Sequence, residues 1–426
     1  MKISIGLTLF FLCAVLMGSV KSQIDTLHNQ AYALLDSDPD KALVLAKQAE
    51  DLAHNRGLDF EEANSLFIQA YLYRENNELG KAFVINLRAL EILRPLEEEK
   101  PKSTYVKILL NTGEILKQHY AYPEAVRYYD EGIPIAIEND FKNTLIKLLY
   151  NKAVALRHNE SFDYALETIE KAISVAIEER DEYKLISAIN EKGLIEKDME
   201  LYEQARQSYQ EILDYEFERL NPAKYKGRAW HNMGVTFVKE RDYNNAKKAF
   251  SNAEKYHSER PGSSDQFTTW LDMGEVYFLS GQYNEAMEIA NKAHSIYDGV
   301  SLLPDHYALF DLLSKICHEQ GLHDDSHSYS QRYVLANKDF LAAQEEILRV
   351  KDQYKMEVLT AGFFLDIEQE KSKERLRLYL FTSIAFFIVL IAGRQVWFVR
   401  LKRAIEREMK KTGGEKPLLK NTQNGY

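Results

Sequence analysis

The amino-acid sequence predicts an all-α protein: an α-solenoid of about eight helix-turn-helix repeats, followed by a helical stalk and one transmembrane helix. Three observations predict this class. Two segments of nearly the same sequence lie 40 residues apart, small residues recur with nearly that period along most of the chain, and one late apolar stretch is long enough to cross a bilayer.

The two similar segments are WHNMGVTFVKERDYNNAKKAFSNA at 230–253 and WLDMGEVYFLSGQYNEAMEIANKA at 270–293. Both begin with Trp, continue with Met-Gly, place Tyr-Asn before a central Ala and end in Ala. Self-similarity at a fixed separation is the signature of a repeat architecture.

The central small residue of this segment can be followed through eight units. It falls at Ala42, Ala82, Ala125, Ala165, Ala205, Ala246, Ala286 and Ser326, with spacings of 40, 43, 40, 40, 41, 40 and 40. Polar turn residues precede it in each unit, so one unit reads as a helix, a short turn and an antiparallel helix. Such a unit cannot bury its apolar face alone, and neighbouring units must therefore stack.

This pattern resembles the tetratricopeptide repeat, whose W-x2-L-G-x2-Y, A-x3-F and final Ala are matched at 230–253 and 270–293, and more loosely from about Leu27 to Asn337. The period of about 40 exceeds the roughly 34 residues of the common repeat, which predicts longer helices, as in the variants found in bacterial peptide-sensing regulators. The resemblance implies a right-handed superhelix with a concave face, but it does not identify a ligand.

The ends of the chain predict export and membrane anchoring. Residues 1–22 read as a signal peptide, with Lys2, an apolar stretch and Ser22 near the cleavage point; an uncleaved anchor is the alternative. Residues 378–399 are predicted to span the membrane, and the basic tail at 400–426 is placed in the cytoplasm by the positive-inside rule.

These boundaries leave the solenoid at 23–337 and the stalk at 338–377. The stalk has apolar residues near a 3.5-residue period, which favours pairing with a second copy as a homodimer. We therefore expect a single-pass protein of a bacterial inner (cytoplasmic) membrane with its repeats in the periplasm.

Charge and cysteine content narrow the partners. The net charge is −11, and the predicted exported part is more acidic still because the leader and the tail are basic, so nucleic acid is excluded as a partner. Cys317 is the only cysteine of the predicted exported part, and no intrachain disulfide is expected there.

The resemblance also implies candidate binding residues. In this family the first helix of each unit faces the groove, and the twelfth motif position is a common contact point. That position holds Arg74, Lys117, Arg157, Lys197, Val238 and Phe278 in six successive units. The four cations could bind an anionic or carboxylate-bearing peptide, with an apolar continuation for its side chains. Alternatively, they complement the helix dipole in the last turn of each first helix.

A metal site and an enzyme are the weaker interpretations. His323 and His327 lie four residues apart and could present two imidazoles from one helical face, although exposed polar residues are expected at this turn. No phosphate-binding glycine loop, nucleophile elbow or paired-His motif occurs in the sequence. We expect neither catalysis nor a cofactor.

The layout as a whole resembles the exported sensor region of bacterial tetratricopeptide-repeat sensor kinases and regulators. The 27 residues after Val399 are too few for either effector. The first hypothesis is a membrane-anchored protein- or peptide-binding module, acting as a receptor subunit or a scaffold in envelope signalling or assembly. The alternative is a truncated or split sensor of a histidine kinase or helix-turn-helix regulator system, with its effector in another chain.

Overall fold

The computed structural model describes residues 19–99, 101–118, 120–297 and 305–338, which are helical apart from turns and short loops. They belong to one compact unit, Met1–Lys351, whereas a second unit, Asp352–Tyr426, lies outside the described residues. The predicted membrane span, the tail, nearly all of the stalk and most of the predicted signal peptide are therefore not described. Among the described residues, no helix combines the length and the apolar character needed to cross a membrane.

Sixteen α-helices are described. They are α1 (19–34), α2 (Pro39–His54), α3 (Asp59–Glu75), α4 (Leu79–Leu93), α5 (Lys102–Gln118), α6 (Tyr122–Glu138), α7 (Lys142–His158), α8 (Phe162–Glu178), α9 (Glu182–Asp198), α10 (Tyr202–Asp214), α11 (Pro222–Lys239), α12 (Tyr243–His257), α13 (Ser264–Leu279), α14 (Tyr283–Tyr297), α15 (Asp305–Glu319) and α16 (323–338).

The 40-residue period has a simple origin. Helices α5 to α9 are each 17 residues long, and three-residue turns join them. The long spacing of 43 coincides with a 3₁₀ segment, Arg94–Glu99, inserted between α4 and α5. The spacing of 41 coincides with a shortened α10 and the loop after it, where the Glu182 carboxylate accepts three backbone N–H groups at 2.8–3.0 Å.

The small residues lie where the sequence predicts close helix crossings. Seven of the eight central positions, all those held by alanine, are fully buried. Glycine on a first helix serves the same purpose, because a Cβ at Gly113 or Gly193 would collide with the ring of Tyr129 or Tyr209. Each of these aromatic rings fills the space that the missing Cβ leaves.

The helices form two layers. The first helices of successive units contact one another directly, in the pairs α3–α5, α5–α7, α7–α9, α9–α11, α11–α13 and α13–α15. No comparably extensive contacts join the second helices within the described residues. Closer spacing on one side curves a stack toward that side, so the exposed side of the first helices is the concave one and is here named the inner face.

Candidate functional site

A groove with a volume of about 360 Å³ opens on the inner face between α1, α3, α5 and α7. Aromatic, cationic and amide side chains line it together. The lining residues are Tyr32, Leu35, Phe67, Ile68, Tyr71, Arg74, Lys107, Leu110, Asn111, Glu114, Thr144 and Lys147. Apolar walls with a few polar groups are the usual composition of a ligand site.

Asn111 is the unusual residue of this groove. Its side chain is only 2 % exposed, yet neither its amide nitrogen nor its amide oxygen has a hydrogen-bond partner among the described residues. A buried amide without partners costs about 1–3 kcal/mol. The residue one repeat later, Asn151, is satisfied: it accepts from Lys117 at 2.5 Å and donates to Glu114 at 3.1 Å.

Two exposed lysines stand on the same groove, one repeat apart. Lys107 lies on α5 and Lys147 on α7, and neither forms an ion pair with any described residue. Their ammonium groups are therefore available to a carboxylate of a ligand. They supply the groove with positive charge on a chain whose net charge is −11.

The predicted basic residues lie in the layer of first helices, but their charged groups already have partners. Arg74 lines the groove, where it forms ion pairs with Glu114 and, at 2.8 Å, with Glu75, and it lies over the Tyr71 ring. Lys117 donates to the Asn151 side chain, and burial lowers the pKa of its ammonium.

The other two basic residues are held by acids of α9. Arg157 binds Glu191 at 2.7 Å and Asp198 at 2.9 Å, and Lys197 lies 3.2 Å from Asp198. Burial raises the pKa of the Glu191 carboxyl, which is 5 % exposed. Three of the four cations thus lie in joints between successive units, Lys197 pairs within its own helix, and the four do not form an unpaired row of positive charge.

Val238 and Phe278 occupy the same motif position in later units and are half-buried. Val238 packs against the core between α12 and α13, and the Phe278 ring lies 5.5 Å from that of Tyr283. Neither residue lines the groove described above.

The metal candidates lie on the last described helix, α16. The His323 ring is 6.0 Å from that of His318, and His327 shares a 2.9 Å hydrogen bond with Gln331. In the part of the chain that is described, no three His, Cys, Asp or Glu side chains come together as a metal ion would require. The nearby Cys317 thiol is buried, and its burial raises its pKa.

Sequence reasoning missed the three residues that distinguish the groove: Lys107, Asn111 and Lys147. A signal for the lysines was present, because both fall six residues before the small residue of their first helix, Gly113 or Ala153. No sequence signal separates Asn111 from Asn151, since they hold the same repeat position and differ only in their surroundings.

The layers of stacked helix pairs define this chain as an α-solenoid repeat protein. Two of the units are tetratricopeptide repeats, since the family model of that name matches residues 227–256 and 267–297. This confirms the family that the sequence resembles. A comparison with curated proteins found no match.

The similarity to one solved structure supports the helical repeat fold. The chain resembles a signal transduction ATPase with numerous domains that carries a tetratricopeptide repeat sensor, from Pyrococcus horikoshii, with a TM-score of 0.54, 14 % identity and coverage of 68 % of this chain and 44 % of that one. The apo quorum sensor NprR from B. thuringiensis has a TM-score of 0.48 and 14 % identity, and the match covers 75 % of this chain and 99 % of that one. A tetratricopeptide repeat protein from Parabacteroides merdae has a TM-score of 0.47 and 18 % identity, and the match covers 69 % of this chain and 98 % of that one.

Proposed function

We propose that this chain binds a protein or peptide segment in the groove between α1, α3, α5 and α7, and that it acts by binding rather than by catalysis. The observation that carries the proposal is the Asn111 side chain, an amide that is buried in the groove wall without a partner among the described residues. A peptide backbone offers one N–H and one C=O per residue, and a single side-chain amide can bond both.

The rest of the groove suits a segment that carries an acidic side chain or a free carboxylate. Lys107 and Lys147 have ammonium groups free to meet such a charge, while Tyr32 and Tyr71 offer surface for apolar side chains. Arg74 contributes less to this charge, because binding a ligand carboxylate would compete with its Glu114 ion pair.

We further propose that the solenoid lies in the periplasm and is anchored in the inner membrane through residues 378–399, where it serves as a receptor subunit or as a scaffold. This step rests on the sequence alone: the leader-like residues 1–22 and the apolar span followed by a basic tail. A split sensor whose effector is another chain uses the groove in the same way and differs only in its partner.

Selection from a displayed peptide library against the full-length protein tests the groove. We expect recovered peptides to share an acidic residue, and the double variant Lys107→Gln and Lys147→Gln to bind them about tenfold more weakly, with high salt mimicking the loss. The matched control removes the same charge elsewhere, by Lys41→Gln and Lys171→Gln on α2 and α8.

If the groove variant and the control bind the peptides with equal affinity, the proposal that the peptide binds in the groove is contradicted. Protease treatment of spheroplasts tests the topology separately: the solenoid should be digested while an epitope placed after residue 426 survives. Protection of the solenoid would contradict a periplasmic location.

A further inference from the structure

The second helices reverse their charge at α12. Helices α6 and α8 each carry four acidic residues and one basic residue, and α10 carries three acids and one base. Helix α12 instead carries three lysines and one glutamate. A local positive surface therefore follows three successive acidic second helices.

The three lysines have only neutral partners. Lys247 donates to the Gln282 side chain at 2.6 Å, Lys248 to Asn245 at 3.3 Å and Lys255 to Asn252 at 3.2 Å. Within the described ranges no carboxylate lies in ion-pair distance of any of the three, and Asp242 acts on Lys248 only from a greater distance.

The same repeat position one unit earlier shows the contrast. Arg206 follows the central alanine of its unit as Lys247 does, but two carboxylates hold it, those of Glu203 at 2.8 Å and of Glu240. In the later unit Lys247 donates instead to a glutamine, Gln282, and the residue equivalent to Glu240 is Ser280. Because neither Gln282 nor Ser280 is charged, Lys247 has no carboxylate in ion-pair distance among the described residues.

A depression of about 550 Å³ accompanies these lysines. It lies between α12 and the turn after α13, and Ser251, Asn252, Tyr277 and Gln282 complete its lining. The Lys247 ammonium lies 5.4 Å from the centre of the Tyr277 ring. Cations, a hydroxyl and amides thus surround a space open to a ligand.

We propose that this surface, the α12 patch of Lys247, Lys248 and Lys255, is a second docking site that binds an acidic segment of a partner protein outside the groove. Eight residues of helix separate the first lysine from the last, a distance of roughly 12 Å that about four residues of extended chain would span. The acids of α6, α8 and α10 repel such a segment and so restrict it to α12.

A fluorescent peptide of eight glutamates flanked by Gly-Ser, titrated into the full-length protein, provides the test, with an eight-glutamine peptide as the uncharged control. The triple variant Lys247→Gln, Lys248→Gln and Lys255→Gln should bind the acidic peptide about tenfold more weakly than the wild type, with binding in both lost at high salt. The matched control, Lys41→Gln, Lys81→Gln and Lys171→Gln, removes the same charge from α2, α4 and α8 and should change affinity less than about twofold.

Equal losses of affinity in the two triple variants would overturn the proposal, because the net charge of the protein, rather than the α12 patch, would then explain binding. If the triple variant is not folded by circular dichroism, the double variant Lys248→Gln and Lys255→Gln, whose partners are local asparagines, replaces it and should lose about half of the binding free energy that the patch provides. Patch-dependent binding to phosphatidylglycerol vesicles that is tighter than to the peptide, or patch-dependent self-association in sedimentation, would also contradict the assignment.

Discussion

Two neighbouring stretches of the inner face use the same repeat positions in opposite ways. In the stretch α7–α9, named the closed stretch, Arg157 is bound by Glu191 and Asp198, and its charge is satisfied within the protein. In the stretch α3–α7, named the open stretch, the Asn111 side chain has no hydrogen-bond partner and Lys107 has no ion pair among the described residues. On one face of a solenoid, polar groups can thus be paired within the protein in one stretch and be available to a ligand in the next.

A single repeat position accounts for much of this difference. It holds Asn111, Asn151 and Glu191 in three successive units. A carboxylate at that position attracts the arginine of the preceding unit, as Glu191 attracts Arg157. At Asn111 the nearest arginine of the preceding unit, Arg74, is instead engaged by Glu114. Asn151, which has the same side chain as Asn111, is bonded by Lys117 and Glu114, so the neighbours of this position decide together with its side chain whether a joint between units closes.

The largest effect is expected from opening the closed stretch. Arg157→Met leaves the carboxylate of Glu191, which is 5 % exposed, without its partner and should cost about 3 kcal/mol of unfolding free energy. Arg74→Met should cost about 1 kcal/mol, because Glu114 is 24 % exposed and can be hydrated. Denaturant unfolding followed by circular dichroism measures both, and equal losses would show that the two stretches do not differ in this way.

Packing should be alike in the two stretches. Gly193→Ala in the closed stretch and Gly113→Ala in the open stretch each force a methyl group against a tyrosine ring and should cost about 1–3 kcal/mol. Truncating the facing ring, Tyr209→Leu or Tyr129→Leu, should make the added methyl group less costly. If only one of the two glycine variants loses stability, packing rather than polar pairing distinguishes the two stretches.

A third stretch of the inner face, α11–α13, adds a pH dependence. Burial, reinforced by the nearby His257, lowers the pKa of His231 to about 4. The unfolded chain takes up a proton near pH 6.5 while the folded protein does not, so stability is full above that pH and is lost as the pH falls toward 4. We expect a loss of about 1–2 kcal/mol between pH 7 and pH 5 that His231→Asn removes. An unchanged slope in the variant would contradict the burial of a neutral imidazole.

The smallest effect concerns the turns. Glu200 is the middle residue of the turn between α9 and α10 and has a φ of 63°, a conformation in which glycine is not strained. Glu200→Gly should therefore stabilise the closed stretch by about 0.5–1 kcal/mol, whereas Gly281→Ala, at φ of 73°, should destabilise its turn by about 1 kcal/mol. Thermal unfolding of the two variants should shift in opposite directions, and a shift in the same direction would contradict this account.

The architecture was predictable from the sequence because it depends on local periodicity. The row of buried alanines, the turn positions and the lengthened helices all follow from spacing, which is written in the chain. The pairing of the basic residues was not predictable in this way. Several partners, such as Glu114 for Arg74 and Glu191 for Arg157, come from the next unit, and spacing does not specify how one unit is rotated against its neighbour. The groove residues were missed for the same reason.

The most direct test of the central claim, that the open stretch binds a ligand through Asn111, compares two buried asparagines. Asn111 and Asn86 both lack side-chain partners among the described residues, but only Asn111 lines the groove. Asn111→Leu and Asn86→Leu should each stabilise the fold by about 1 kcal/mol, because an unpaired buried amide is replaced by an apolar group of similar size.

Affinity for a peptide recovered by the library selection is the deciding measurement. We predict that Asn111→Leu lowers it about tenfold or more and that Asn86→Leu leaves it unchanged. A stabilised Asn111→Leu variant that binds the peptide as the wild type does, or an equal loss in both variants, would contradict the account.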